Sequence, residues 1–68
     1  MKLYLIHTGY YDENVGDGFY EQHTNTLISA RSAYDAREKI KKRNEYIEKK
    51  MHIDGIKEIE NIDGYDIA

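Results

Sequence analysis

The sequence predicts a small α+β domain in which one amphipathic helix covers one face of a sheet of three to four strands, in the order β-β-α-β-β. Three observations lead to this fold class. Short apolar or β-branched runs at residues 3–6 and 22–31 are typical of strands, a helical repeat of apolar positions follows Ser32, and an Asp-Gly pair divides the last apolar segment. A chain of 68 residues has room for one such pair of layers, so we expect a single domain over residues 1–68.

The first strand begins almost at the N-terminus. Its alternation places Leu3, Leu5 and His7 on one face and Tyr4, Ile6 and Thr8 on the other. Residues 9–20 then combine glycines with Asp and Asn, a composition typical of turns, and we expect a loop of about a dozen residues. Loops of this length are often functional, and this one carries four aromatic side chains that either bind a ligand or cap the core: Tyr10, Tyr11, Phe19 and Tyr20.

The middle of the chain predicts a second strand followed by a helix. Residues 22–31 alternate Thr24, Thr26, Ile28 and Ala30 against Asn25, Leu27 and Ser29. Ser32 suits a helix N-cap, and Asp35 suits the positive first turn. The apolar positions that follow predict one helix of four turns or more: Ala33, Ala36, Ile40 and Ile47.

The C-terminal segment predicts a third strand and a short fourth one. We expect a turn near residues 54–55, a strand with a bulge over residues 56–61, and a two-residue type I′ turn at Asp63 and Gly64. Residues 65–68 would form a last short strand. The first two strands are expected to be antiparallel, and the helix returns the chain to the third strand. One helix covers one sheet face, so some of Tyr4, Ile6, Leu27 and Ile59 should remain exposed, and we predict a homodimer that covers them.

Composition excludes several classes of function. The chain has no cysteine, so thiolate metal sites and thiol nucleophiles are excluded, and its start lacks an apolar run long enough for a signal peptide or membrane span. We therefore expect a cytoplasmic protein without a membrane partner. Residues 31–50 carry eight Lys or Arg and four acids, whereas the rest carries two Lys and nine acids. This basic helix is more typical of a solvated face than of a nucleic-acid interface.

The candidate site is a set of two histidines and two acids, here called the His–acid cluster: Glu21, His23, His52 and Asp54. In each pair the residues are two apart, so on a strand both side chains point to the same face. The two pairs flank the helix and meet at one end of the sheet if the second and third strands are parallel neighbours. Three readings remain open: a structural network that orients a loop, a site for a small polar ligand or anion, and a metal site. The first two fit the sequence better, so no metal or cofactor is predicted, and His7 is placed beside the cluster.

The same residues resemble a known family. Gly9, the acid-x-His pair at Glu21 and His23, the pattern His-Ile-Asp from His52, and the ending Asp63-Gly64-Tyr65 resemble the small bacterial domain-of-unknown-function family 1543. The resemblance extends over nearly the whole chain, although Thr24 and Asn25 replace a more usual acidic and aliphatic pair. It supports the positions of the motifs but implies no activity.

The sequence is therefore interpreted as a non-enzymatic binding protein of bacterial or phage origin. It would bind a small polar ligand or a partner protein through the 9–23 loop and the His–acid cluster. Two alternatives remain: a regulatory or phage-type inhibitor that acts by protein–protein interaction, and nucleic-acid binding through the basic helix.

Overall fold

The computed structural model of the chain describes residues 1–67. In chain order its elements are β1 (Lys2–Tyr11), β2 (Glu21–Ala30), α1 (Ala33–Lys41), α2 (Asn44–Glu48), β3 (His52–Glu58), β4 (Asn61–Ile62) and β5 (Tyr65–Asp66). The predicted α+β class is confirmed, because the structure has one main helix and a three-stranded sheet. The last two strands form a separate two-stranded sheet rather than an extension of the first.

The main sheet has β1 at its centre, with β2 on one side and β3 on the other. Both neighbours run antiparallel to β1, which confirms the predicted pairing of the first two strands. The second and third strands run parallel to each other, but they are not the neighbours that the sequence considered, because β1 lies between them. Gly9 of β1 is opposite His23 on β2 and His52 on β3, so the two ends of the His–acid cluster meet across the central strand.

The core lies between the sheet and α1. The even-numbered side chains of β1 and β2 face the helix, and the buried apolar side chains of the core are Tyr4, Ile6, Ile28, Ala30, Ala36 and Ile40. Thr8 is also fully buried, and its hydroxyl is satisfied by the side chain and carbonyl of Thr24. Tyr4 and Ile6 were expected as candidates for the exposed face, but the helix covers both.

The helical segment is shorter than predicted. Ser32 caps α1 as expected, with its hydroxyl accepting from the backbone N–H of Asp35 at 3.1 Å. The helix nevertheless stops at Lys41, because Arg43 adopts an extended conformation (φ −72°, ψ 140°) before α2 begins. The break changes which side chains face the sheet. Ile47, predicted for the apolar stripe, is 61% exposed, and Tyr46 packs against the core in its place.

Two predicted turns have different outcomes. The turn expected near residues 54–55 is absent from the described chain, because β3 continues through it from His52 to Glu58. The register with β1 shifts there: Thr8 pairs with Ile53 and His7 pairs with Gly55, so Asp54 is the extra residue of a β-bulge. The turn at Asp63 and Gly64 is confirmed, since both residues have positive φ (53° and 83°) between β4 and β5, as a type I′ turn requires. Ala68, included in the expected last strand, lies outside the described residues.

The loop between β1 and β2 is shorter than the sequence indicated. Gly9, Tyr10 and Tyr11 belong to β1, which leaves residues 12–20 as the connection, with a 3-10 turn at Gly16–Gly18. Asp17 has a positive φ of 56° within that turn. Within residues 1–67, no helix is long and apolar enough to cross a bilayer.

The sheet face that points away from α1 is called the open face below. It consists of the odd-numbered residues of β1 and β2 and the matching residues of β3. One end of the open face is apolar, with Leu27 exposed on β2 opposite Leu5, and with Leu3 two residues before Leu5 on β1. The other end carries the His–acid cluster around Gly9.

Candidate functional site

The His–acid cluster is assembled across all three strands of the sheet. Glu21 and His23 stand two residues apart on β2, and His52 and Asp54 stand on β3. Regular alternation puts His52 on the open face, opposite Gly9, and the bulge brings the Asp54 carboxylate to the same face. The sequence predicted that these four residues meet, and the structure brings them together through β1 rather than through a direct β2–β3 pair.

The four side chains form a closed ring in which imidazoles and carboxylates alternate. Glu21 Oε1 lies 3.3 Å from His52 Nε2 and 3.4 Å from His23 Nε2. Asp54 closes the ring on the other side, with Oδ1 at 3.1 Å from His52 Nε2 and Oδ2 at 3.3 Å from His23 Nδ1. The side chains of the two acids are 30% exposed, and those of the two histidines are 44% and 47% exposed. The ring is therefore reachable from solvent.

Gly9 provides the space beneath this ring. A Cβ atom at position 9 would lie against Glu21 Oε1, 2.6 Å from Asp54 Oδ2 and 2.7 Å from His52 Nε2. All three contacts are too close for a real side chain. Glycine within a strand often marks a close approach of another group to the backbone, and here the approaching groups are the polar atoms of the cluster.

His7 lies directly beside the cluster, as the sequence indicated. Its ring stacks on that of His23, with centroids 4.7 Å apart and planes within 10°. Its Nδ1 lies 2.7 Å from Oδ1 of Asn25, an amide oxygen that can only accept a hydrogen bond. His7 therefore donates from Nδ1, which in the neutral ring leaves Nε2 with a free lone pair.

Tyr11 is the predicted aromatic residue that contacts the cluster. Its hydroxyl donates to Glu21 Oε2 at 3.2 Å, which leaves Oε1 of that carboxylate for the ring. This hydrogen bond, followed by the negative charge of Glu21, raises the pKa of Tyr11 above its ordinary value of 10.0, and Asp54 adds a smaller effect in the same direction. Tyr11 is therefore a neutral donor that orients Glu21.

The other three predicted aromatic residues lie elsewhere. Tyr10 has the opposite orientation in β1, and Lys49 Nζ sits 4.7 Å above the centre of its ring. Phe19 and Tyr20 pack edge to face against each other in the loop, with centroids 5.0 Å apart, and both are largely exposed. A shallow groove of about 330 Å³ runs between this loop and the end of α2, lined by Tyr10, Tyr11, Asp12, Glu13, Asn14, Glu48, Lys49 and Lys50.

The basic helical segment is interleaved with acids. Lys39 lies 3.7 Å from Asp35, and Lys41 lies 3.8 Å from Glu38. Lys49 Nζ is 3.2 Å from Glu45, and this contact is the main reason that the pKa of Lys49 is raised. These pairs make the segment a surface of mixed charge, which favours a solvated face over a continuous phosphate-binding stripe.

The family relation follows from the sequence profile of the Domain of Unknown Function (DUF1543) family, which matches residues 18–68. The chain belongs to the DUF1543 family. The match includes all four residues of the His–acid cluster and both central residues of the type I′ turn, whereas Gly9 and His7 precede it. Comparison with curated proteins found no match, and comparison with solved structures found none either.

Two contributors to the site were given lesser roles by the sequence. Gly9 was interpreted as the start of a loop, and His7 as a residue beside the site. The alternation of strand residues could have indicated both roles. Leu3, Leu5 and His7 share one face, and a strand that extends two residues further also places Gly9 on that face. The register opposite His23 and His52 then makes Gly9 the centre of the cluster.

Proposed function

We propose that this member of the DUF1543 family is a non-enzymatic binding protein whose site for a small polar ligand is the His–acid cluster on the open face. One observation carries the proposal: the ligand-type atoms of three side chains from two strands converge over Gly9, where any side chain would displace them. Holding the strands together does not require this convergence of polar atoms, because β2 and β3 are already joined through β1.

The exposure of the cluster favours binding over catalysis. The imidazoles are nearly half exposed, and the ring sits on an open sheet face rather than in a cleft. Catalytic sites usually enclose the substrate and exclude water, which strengthens their electrostatic interactions. A surface ring of donors and acceptors suits a ligand that remains partly hydrated when bound.

A thermal-shift screen with nucleotides, organic acids, inorganic anions and divalent metals tests the proposal. A ligand that binds the folded state raises the melting temperature by mass action. We expect at least one compound to stabilise the wild type and to lose this effect in His23→Ala, in His52→Ala or in both. Lys57→Ala is the matched control, because Lys57 is an exposed residue of β3 opposite Leu5 on the same face. A complete screen without any compound whose effect depends on either histidine would contradict the proposal.

A second candidate function is a protein contact at the apolar end of the open face. Leu27 is 58% exposed there, and its register partner Leu5 is half-buried. An uncovered apolar sheet face is a common site of association, and a second copy of this chain is the proposed partner. Light scattering at micromolar concentration should give a dimeric mass for the wild type and a monomeric mass for Leu27→Asp. A monomeric wild type under these conditions would refute this candidate.

A further inference from the structure

We propose that the small polar ligand of the open face is a divalent transition-metal ion of the zinc class, held by Glu21, His52 and Asp54. This inference rests on the proposed binding function and names its ligand. The three residues each offer one ligand atom, and these atoms lie within 4.8 Å of one another. They are also the three residues whose polar atoms converge over Gly9.

The spacing of the ligand atoms is close to that around a tetrahedral ion, and the contact between His52 and Glu21 also meets hydrogen-bond geometry. Metal–ligand bonds of about 2.0–2.2 Å place two ligands of a tetrahedral zinc ion about 3.3–3.6 Å apart. His52 Nε2 lies 3.3 Å from Glu21 Oε1 and 3.1 Å from Asp54 Oδ1. A charge-assisted hydrogen bond between imidazole and carboxylate would be about 2.7–2.9 Å long. The observed distances are longer than that range and close to the edges of a coordination tetrahedron.

The charges of the site also favour a cation. Glu21 and Asp54 place two carboxylates on the same imidazole, and within residues 1–67 the lysine ion pairs all involve other acids: Glu58, Asp35, Glu38 and Glu45. A divalent ion would neutralise both carboxylates. One imidazole with two carboxylates is a ligand set of mixed nitrogen and oxygen donors, which zinc accepts and which calcium or magnesium does not prefer.

The surroundings of the ligands match those of known metal sites. Carboxylate ligands are commonly held by hydrogen bonds from a second layer of residues, and Tyr11 donates to Glu21 Oε2 while Oε1 faces His52. Three protein ligands leave a fourth position on a tetrahedral ion, and the partly exposed His23 ring lies beside the site, 3.4 Å from Glu21 Oε1. Water or a partner's side chain can occupy that position.

A second set of three potential ligands shares Asp54: His7, His23 and Asp54 also lie within 4.8 Å of one another. The proposal commits to the first set for two reasons. Only the first set carries two carboxylates. All three of its members lie close to the Cβ position of Gly9, whereas Asp54 alone does so in the second set. In the second set, His23 Nδ1 lies 3.3 Å from Asp54 Oδ2, and the hydrogen bond to Asn25 orients His7.

Calorimetric titration of the metal-free, tag-free protein with zinc tests this inference directly. A histidine tag must be absent, because its imidazoles would bind zinc and mask binding by the three histidines of the chain itself. We expect one zinc ion per chain, with affinity reduced at least about 100-fold in His52→Ala and in Asp54→Asn, a loss beyond that of second-layer changes. Glu60→Gln is the control and should bind as the wild type does, because Glu60 is an exposed acid beyond the end of β3 and outside both sets of potential ligands. Circular dichroism on each variant establishes that it is folded.

Three outcomes would overturn the inference. The first is a folded wild type that does not bind zinc, cobalt or nickel. The second is unchanged zinc affinity in His52→Ala, together with a loss in His7→Ala, which would move the ion to the second set. The third is an organic compound that stabilises the wild type through His23 and His52 while zinc does not. That last result would leave the proposed binding function standing and refute only the metal, whereas a screen without any histidine-dependent ligand refutes both.

Discussion

Replacement of Gly9 by alanine is the sharpest perturbation of the site, because it adds one carbon atom and removes no ligand. The added Cβ would lie 2.6 Å from Asp54 Oδ2 and 2.7 Å from His52 Nε2. An ordinary contact is at least 3.4 Å, so these two atoms must move by roughly 0.7–0.8 Å. Metal–ligand distances tolerate about 0.2 Å. The three ligands can therefore no longer reach one ion together, and we expect zinc affinity to fall at least about tenfold.

The same substitution should leave the fold intact. Gly9 does not have a positive φ, and alanine is preferred over glycine within a strand by about 0.5–1 kcal/mol. The contacts it disturbs are solvent-exposed pairs of imidazole and carboxylate, each contributing about 0–1 kcal/mol. These effects oppose each other, so the free energy of unfolding should change by no more than about 1 kcal/mol, or about 4–8 °C in Tm for a domain of this size.

Gly55→Ala is the matched control for Gly9→Ala. Gly55 pairs with His7 in the same sheet, and a Cβ atom there would meet no atom within 4 Å. Calorimetric titration with zinc and urea unfolding of both variants are the assays. Equal zinc affinity in Gly9→Ala and the wild type would contradict a metal site above Gly9. An equal loss of affinity in Gly55→Ala and Gly9→Ala would do the same.

Other predictions concern Tyr11 and the start of α1. Tyr11→Phe should lower zinc affinity by about 10–100-fold without unfolding the protein, measured by the same titration, because it removes the hydrogen bond that orients Glu21. In metal-free protein, NMR titration of the Tyr11 ring should give a pKa above 10.0 that falls towards 10.0 in Glu21→Gln; an unchanged pKa would show that Glu21 is not its cause. The pKa of Asp35 is lowered below 3.8, chiefly by the backbone N–H of Arg31, so its carboxylate stabilises the fold above that pH and the contribution is lost as the pH falls through the lowered pKa. Urea unfolding at about pH 6 and about pH 3 should therefore show a smaller loss of stability in Asp35→Asn than in the wild type, and equal losses would contradict this assignment.

The parts of the fold that followed from the sequence depend on local chemistry. Alternation in β1 and β2, the Ser32 cap and the positive-φ turn at Asp63 and Gly64 are each set by neighbouring residues, and each is confirmed. The sequence does not predict the end of α1, because the residues around Arg43 are compatible with a helix and only the structure shows the extended backbone at Arg43. The strand order was missed for a similar reason, since periodicity does not show which strand is central.

In the candidate site, too, the features set by nearby residues were predictable and the features set by strand pairing were not. The spacing of Glu21 with His23 and of His52 with Asp54 indicated two pairs on shared faces, and the structure brings them together. Gly9 was misassigned to a loop because glycine signals both turns and close approach within strands, and only the register distinguishes them. The bulge that directs Asp54 to the open face depends on pairing with β1, and Asp-Gly is a common turn sequence.

Anomalous diffraction at the zinc absorption edge, from crystals of tag-free protein grown with zinc, tests the central claim most directly. We expect one strong anomalous peak per chain above Gly9, about 2.0–2.2 Å from Glu21 Oε1, His52 Nε2 and an Asp54 carboxylate oxygen. Zinc bound only elsewhere on the chain, or a zinc-free open face with its imidazoles turned away from the carboxylates, would contradict it.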